Sequence, residues 1–346
     1  MNKILVRILM IVVLQDFVTA HAQRDSLRFQ IAFYNTENLF DPQDDSTKND
    51  DAFTPEGMNH WNYTRFKQKI NNIAKVFVAM GNPEPPDIIG LAEIENDYVL
   101  QRLCYHSPLE HFGYRFIHYD SPDARGIDVA LLYRKEHAHI LYSKALPVVF
   151  PFEPNSRNRD ILYCRLLLRD KDTLHLFVNH WTSRYSGYAA TIPKRNHYAQ
   201  TLRHYTDSIL QANPLAAIVI MGDFNDYPTD ESLHHILAAR SQKETDSPSH
   251  LINLMLDFDN LQNQGTHKHE DFWGCLDQLI VSESLMDKQQ QCHIEDNRAV
   301  IFKADFMVVP DEKYGGDKVL RTFLGPRYIG GYADHLPVFL WLRSQE

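Results

Sequence analysis

Residues 218–226 read IVIMGDFND, an unbroken apolar run that ends in Gly222 and then Asp223, Phe224, Asn225 and Asp226. Such a run is a strand buried on both faces, and the glycine and Asx residues turn the chain at its end. The same layout recurs upstream. Residues 29–34 run into Asn35 and Glu37, residues 88–92 into Glu93 and Glu95, and residues 174–178 into Asn179 and His180. Strands that each end in carboxylates, amides or imidazole can aim those groups into one crevice while the sheet fixes their positions.

Further strand-like runs lie at 129–133, 161–168, 279–281 and 338–342. Residues 63–80 place Phe66, Ile70, Ile73, Ala74 and Phe77 at helical spacing and leave Arg65, Lys67, Lys69 and Lys75 to face water, which predicts an amphipathic helix. A second helix is expected over 194–212, and a shorter one over 232–239 with Asp230 as its N-cap. Strands alternating with helices predict layered α/β packing. Residues 42–59 and 147–159 are turn-rich and read as surface loops. No linker composition and no internal repeat divides the chain, so one domain is expected.

The chain has 346 residues, enough for a substantial core, and its 45 Asp plus Glu against 35 Lys plus Arg leave a charge of −10. That balance argues against a broad basic surface for gripping nucleic acid, although a local groove is compatible with it. Lys3 and Arg7, the apolar run 8–14 and Ala20-His21-Ala22 have the layout of a secretory signal peptide. Gln15 and Asp16, directly after the apolar run, fit an ordinary buried segment instead. We expect cleavage near Ala22, export to the periplasm or out of the cell, and a monomer without membrane insertion, since no other run approaches the ~20 apolar residues of a span. Cys104, Cys164, Cys275 and Cys292 lack CxxC spacing, which argues against structural zinc. Cys164, inside the run 161–168, is expected to be a buried thiol; the other three stay open to bridging.

The C-terminal part adds Asp277 within CLDQLI (275–280) and Asp334-His335 within GYADHLP (331–337), just before the last strand. A carboxylate inside an apolar strand is costly unless paired, so Asp277 is expected to orient His335 and fix its tautomer, with a purely structural hydrogen bond as the alternative. Taken singly, the other candidates have plain roles: Asn35 as a loop cap, Glu93 as a solvated or salt-bridged acid, His180 as an edge histidine, Asp223 and Asn225 as an Asx turn. Together, Glu93, Asp223, Asn225 and Asp334 form the oxygen-rich set that Mg2+, or alternatively Mn2+, takes. His180 and His335 sit among carboxylates and amides, which disfavours zinc. The absence of GxSxG, of GxxxxGK[ST] and of GxGxxG after the first strand argues against serine hydrolases, nucleotide triphosphatases and dinucleotide enzymes.

In order along the chain, YNTEN (34–38), LAE (91–93), VNH (178–180), GDFN (222–225), LDQ (276–278) and ADHLP (333–337) resemble the motifs of the endonuclease/exonuclease/phosphatase superfamily, the DNase-like fold, over nearly the whole mature chain. The resemblance implies an α/β fold, a four-layered α/β sandwich of two facing mixed β-sheets flanked by helices. It forms a single domain over 23–346 after a signal peptide at 1–22. It also implies metal-dependent hydrolysis of phosphodiesters or phosphomonoesters. On this resemblance Glu93 is the main metal ligand, Asn35 contributes to the metal and phosphate site, and Asp334 completes it. Asp223 positions or deprotonates the attacking water, Asn225 steadies the phosphate, His335 oriented by Asp277 stabilises charge on the phosphoryl group, and His180 assists the leaving group. Phe224 departs from the small or aliphatic residue often found between the Asp and the Asn. Asp128, in GIDVA (126–130), either accepts a hydrogen bond from a neighbouring site residue or caps its turn.

The expected activity is an exported Mg2+-dependent phosphodiesterase of nuclease type acting on a phosphoester, with DNA or RNA as candidate partners. The alternatives are a phosphomonoesterase or phospholipid phosphodiesterase of the same fold and, in another class, a non-catalytic binding protein that retains it. Arg125, Arg157, Arg159 and Arg184 lie in or near loops where they either hold phosphates or are solvated. Trp181, Tyr185 and Tyr188 are candidates for stacking on bases, with core packing as the other role for Trp181.

Overall fold

The structure is a computed structural model, and it describes residues 27–344 apart from 82–83, 170, 245–249, 259–260 and 262–263. The expected signal peptide lies outside the described residues. The N-terminal part runs β1 (Leu27–Leu39), α1 (Tyr63–Gly81), β2 (Ile88–Ile94), α2 (Asp97–Tyr105), β3 (Tyr114–His118), β4 (Asp128–Arg134), β5 (Ala138–Leu146), β6 (Ile161–Leu168), β7 (Asp172–His180), α3 (Tyr188–Ala212) and β8 (Ala217–Asp223). Shorter strands then dominate: β9 (Ala239–Arg240), β10 (Leu251–Asn253), β11 (His267–His269), β12 (Phe272–Gly274), β13 (Asp277–Ser282), β14 (Cys292–Ile294), β15 (Val300–Ile301), β16 (Val308–Pro310), β17 (Asp317–Val319), β18 (Phe323–Leu324), β19 (Arg327–Tyr328) and β20 (Val338–Ser344).

Two seven-stranded mixed sheets result, ordered β14-β20-β1-β2-β4-β3 with β15 also on β20, and β5-β6-β7-β8-β13-β10-β9. β1 pairs with β2 in parallel and with β20 antiparallel, and β8 pairs with β7 in parallel and with β13 antiparallel. Alternation along the strands explains why the runs are apolar throughout. Ile31 and Phe33 of the first sheet and Val219 and Met221 of the second meet in the core between the sheets. Their neighbours point outward: Ala32 and Tyr34 pack under Phe66, Ile70, Ile73 and Phe77 of α1, and Ile218 and Ile220 pack under Tyr198 and Leu202 of α3. Burial on both faces with period two gives the expected layers of helix, sheet, sheet and helix.

Three local expectations change. The second helix starts at Tyr188, five residues before the Pro193 that it contains. The amide of Thr191 closes the first turn on the Gly187 carbonyl, so the helix tolerates a proline near its start. The third helix shrinks to a single wide turn, Ser232–Ile236, in which Leu237 N bonds to Ser232 O. Asp230 does not cap it, because its carboxylate is taken by Tyr227 N, Arg184 and the Tyr188 hydroxyl. Cys164 is a buried thiol as expected, and Cys104 and Cys292 are too; burial pushes all three up to about 12.

Candidate active site

Parallel pairing of β1 with β2 and of β7 with β8 brings the carboxyl ends of these strands to one rim. Asn35 lies opposite Ala92, and His180 opposite Asp223. Antiparallel β13 enters that rim from the other side, with Asp277 paired to Asp223. Gly222 is required there, since a Cβ would stand 2.4 Å from the Asn179 carbonyl oxygen. At the rim the backbone is unusual: Glu37, Asn38, Glu93 and Asn225 have φ of 52, 54, 63 and 52°. Non-glycine residues enter this left-handed region only when their surroundings impose it, and such strain concentrates at functional sites. At Glu93 the cause is an irregularity in both β2 pairings, past Asn35 on β1 and between Ala92 and Ile94 against β4.

The side chains then form a connected set. Asn35 Nδ2 donates to Asp223 Oδ2 at 3.0 Å, and the other Asp223 oxygen accepts Asn225 N at 2.9 Å. His180 Nε2 lies 3.7 Å from Asp223 Oδ2 and 3.8 Å from Glu93 Oε1, while Glu93 Oε2 accepts Asn38 N at 2.7 Å. On the opposite side, His335 Nδ1 is 2.6 Å from Asp277 Oδ2, and its Nε2 is 3.8 Å from Asp223 and 3.9 Å from Asp334. Asn225 Nδ2 donates to the Trp181 carbonyl. All eight residues singled out from the sequence, Asn35, Glu93, His180, Asp223, Asn225, Asp277, Asp334 and His335, meet at this rim.

Burial and neighbouring charges give these groups different protonation. Burial pushes Asp223 up to about 7, Asp277 adds to the rise, and His335 and two hydrogen bonds restrain it. His335 goes the other way from an ordinary buried histidine. Burial opposes its charge, but Asp277, Asp223 and Asp334 outweigh it and hold the ring protonated well above the usual range. His180 is driven well below that range by burial, with Arg159, Arg125 and His335 adding to it. One rim therefore holds a neutral imidazole, an imidazolium and a carboxylate poised near neutrality.

Behind these lies a supporting layer of which only Glu37 stood in a motif. Glu37 accepts Arg321 Nε at 3.0 Å and Thr322 N at 2.7 Å, and Arg321 also donates to Asp334 at 2.9 Å. Lys69, expected at the surface of α1, is buried and donates to Thr322 Oγ1 and the Tyr332 carbonyl. Its position three residues after Phe66 and four before Ile73 had placed it on the apolar face. The His267 ring lies tilted against His335 with ring centroids 4.8 Å apart, and its strand is bridged to the same residue.

The residues proposed to meet substrate fare unevenly. Trp181 is wholly buried, packed on Tyr198 and Phe224, so it cannot stack on a base. Arg159 is buried too and donates to the His180 and Trp181 carbonyls and to Asp123, fixing the end of β7. Arg184 uses Nε on the Asn225 carbonyl and Nη2 on Asp226 and Asp230, and lies against the Tyr188 and Tyr227 rings. Arg157 is exposed and bonds to the Pro122 carbonyl. Arg125 is exposed, and its charge reaches His180. Tyr185 is fully exposed. Asp128 accepts Ser121 N and Oγ, so it tethers its own turn.

The donor set suits a hard cation. Asp223 and Asp277 bring carboxylate oxygens within 4.8 Å of each other and of His335, and Asp334 brings one within 4.8 Å of His335 and His267; His335, held protonated, offers no lone pair, so the carboxylates are the donors. Asp277 Oδ1 is buried without a hydrogen-bond partner, and 3.7–3.9 Å gaps separate Asp223 and Asp334 from the imidazoles. Carboxylate oxygens facing such gaps can be completed by an ion and its waters.

The fold is shared with solved structures of low sequence identity. The mannosyl-6-phosphatase of Bacteroides thetaiotaomicron VPI-5482 is 18% identical with a TM-score of 0.56, over 91% of this chain and 99% of that one. The human Nocturnin catalytic domain with bound sulfate is 14% identical with a TM-score of 0.55, over 92% and 96%. D. rerio TDP2 complexed with single-strand DNA product is 13% identical with a TM-score of 0.53, over 92% and 99%. No curated protein matches the chain in sequence. The Endonuclease/Exonuclease/phosphatase family model matches residues 30–344, and together with the two-sheet sandwich and its polar rim this makes the chain a member of that family.

Proposed function

We propose that the chain is an exported, monomeric, Mg2+-dependent phosphoester hydrolase whose reaction centre is the Asp223–His335 rim. The observation that carries this reading is the geometry of the rim: buried Asp223, held by Asn35 Nδ2 and Asn225 N, faces at 3.8 Å the Nε2 of His335, whose Nδ1 is fixed by Asp277 at 2.6 Å. Asp223, held by Asn35 and the Asn225 amide, takes the proton of the attacking water. His335, kept charged and oriented by Asp277, donates from Nε2 to a phosphoryl oxygen as negative charge builds there. Neutral His180 faces the same space and serves the leaving-group side. Glu93, Asn35 and Asp334 would hold the Mg2+ or Mn2+ ion, which when bound neutralises phosphate charge.

Within this class, a small phosphoester is favoured over a long polynucleotide. Of the side chains available to track a nucleic acid, Arg159 and Trp181 are internal and Arg184 is neutralised by two carboxylates. The nuclease reading therefore rests on Arg125, Arg157, Tyr185 and the exposed Tyr188. The mannosyl-6-phosphatase and the DNA-bound TDP2 among the structural relatives stand on the two sides of that choice. A panel of p-nitrophenyl phosphate, bis(p-nitrophenyl) phosphate, sugar and inositol phosphates, sphingomyelin, linear DNA and RNA, each with Mg2+ and with chelator, decides it. Chelator-sensitive turnover of small esters above that of DNA and RNA is expected. Efficient cutting of DNA or RNA would restore the nuclease reading, and no turnover of any member would reject the enzyme.

A further inference from the structure

We propose that His118, Asp120 and Asp128 form a second divalent metal site, for zinc or manganese, on the rim of the first sheet and separate from the reaction centre. Asp128 opens β4 and pairs with Ile94, one residue past Glu93, so the site borders the centre without sharing a residue with it. The three side chains bring one ligand atom each within 4.8 Å of one another.

The decisive feature is the histidine. Its side chain is only 3% exposed, and Nδ1 lies 2.9 Å from Asp97 Oδ1. A carboxylate on one ring nitrogen is the arrangement that fixes the tautomer of a metal-bound histidine, leaving the lone pair on the other nitrogen. That other nitrogen, Nε2, is buried without a hydrogen-bond partner and faces Asp128 Oδ2 at 3.5 Å. At 3.5 Å this contact is an ion pair longer than the roughly 2.7–3.2 Å of an ordinary hydrogen bond. Two ligands about 2.1 Å from a tetrahedral ion stand roughly 3.4 Å apart. Oδ1 of Asp128 is engaged by Ser121, so Oδ2 is the oxygen left to bind. Asp120 is exposed and supplies the third ligand from the solvent side.

A mixed imidazole and carboxylate set suits zinc or manganese better than magnesium. Burial opposes a charge on His118, but Asp128 and Asp97 more than offset it, so a proton is the competing occupant. An ion here would tie together both ends of the 119–127 loop, the segment that carries Arg125.

The test separates this site from the catalytic one. Crystals of full-length Glu93→Gln protein are soaked in Zn2+ or Mn2+, and anomalous diffraction is recorded at the edge of the soaked metal. A peak within about 2.3 Å of His118 Nε2, lost on adding the exposed substitution Asp120→Asn, is the expected result. Calorimetry with the same ions should show Asp97→Asn weakening binding by about 10- to 100-fold. Either ion giving the peak supports the proposal and identifies the metal. No peak at His118 with either ion, in folded protein whose Nε2 is hydrogen-bonded to Asp128, overturns it.

Discussion

His335 and His180 both bring Nε2 to the same oxygen of Asp223, Oδ2, at 3.8 and 3.7 Å, and both are almost completely buried. Their charge states nevertheless diverge. His335 stands among Asp277, Asp223 and Asp334 and keeps its proton, whereas His180 is desolvated beside Arg159 and Arg125 and stays neutral. The rim is thus made asymmetric by the neighbours of its imidazoles and not by the imidazoles themselves. In the proposed reaction this asymmetry assigns the donor to phosphate on one side and leaves an uncharged partner on the other.

The strongest way to break the asymmetry is to remove its centre. Asp223→Ala and His335→Ala should each lower kcat by about a thousandfold or more while thermal melting shows a folded protein. Equal loss from both corners would be unremarkable, but retention of turnover in either variant would remove that residue from the chemistry. A finer change is Asp277→Asn, which keeps the shape beside His335 and removes its charge. Turnover should fall by about 10- to 100-fold. Because His335 then holds its proton less tightly, the alkaline limb of the pH–rate profile should move to lower pH. The acidic limb reports Asp223, which must be deprotonated to act, so activity should rise through about 7 in the parent protein. An alkaline limb unmoved by Asp277→Asn would show that the charge of His335 is irrelevant. The smallest effect is expected from the His180 side. Arg125→Ala should raise KM by about tenfold with kcat nearly unchanged, since an exposed guanidinium contributes binding more than transition-state stabilisation.

The sequence exposed the parts of this design that obey simple rules. Apolar runs with polar ends located the rim strands, because burial on both faces leaves little freedom in composition. Asp277 was readable because a carboxylate in such a run needs a partner, and the partner is the His335 expected for it. What stayed hidden depends on distant or weakly patterned segments. β5 is an edge strand with Leu141 and Tyr142 exposed and a register shift between Ile140 and Tyr142, so its apolar residues do not alternate. His267 sits in a three-residue strand among polar residues and becomes part of the rim only through its bridge to His335. Arg321, reaching both Glu37 and Asp334, lies in a region of two- and three-residue strands without periodicity. Arg159 shows the converse error, and Trp181 takes the core-packing role that was its alternative. Arg159 looks like a ligand-facing residue in a loop, yet both are internal braces for the end of β7.

The most direct measurement is a crystal structure of the full chain with Mg2+ and inorganic phosphate. The account predicts the anion between Asp223 and His335, with an oxygen within hydrogen-bond distance of His335 Nε2 and the cation on Glu93. Phosphate bound at another surface, with the Asp223–His335 rim holding neither anion nor cation, would contradict it.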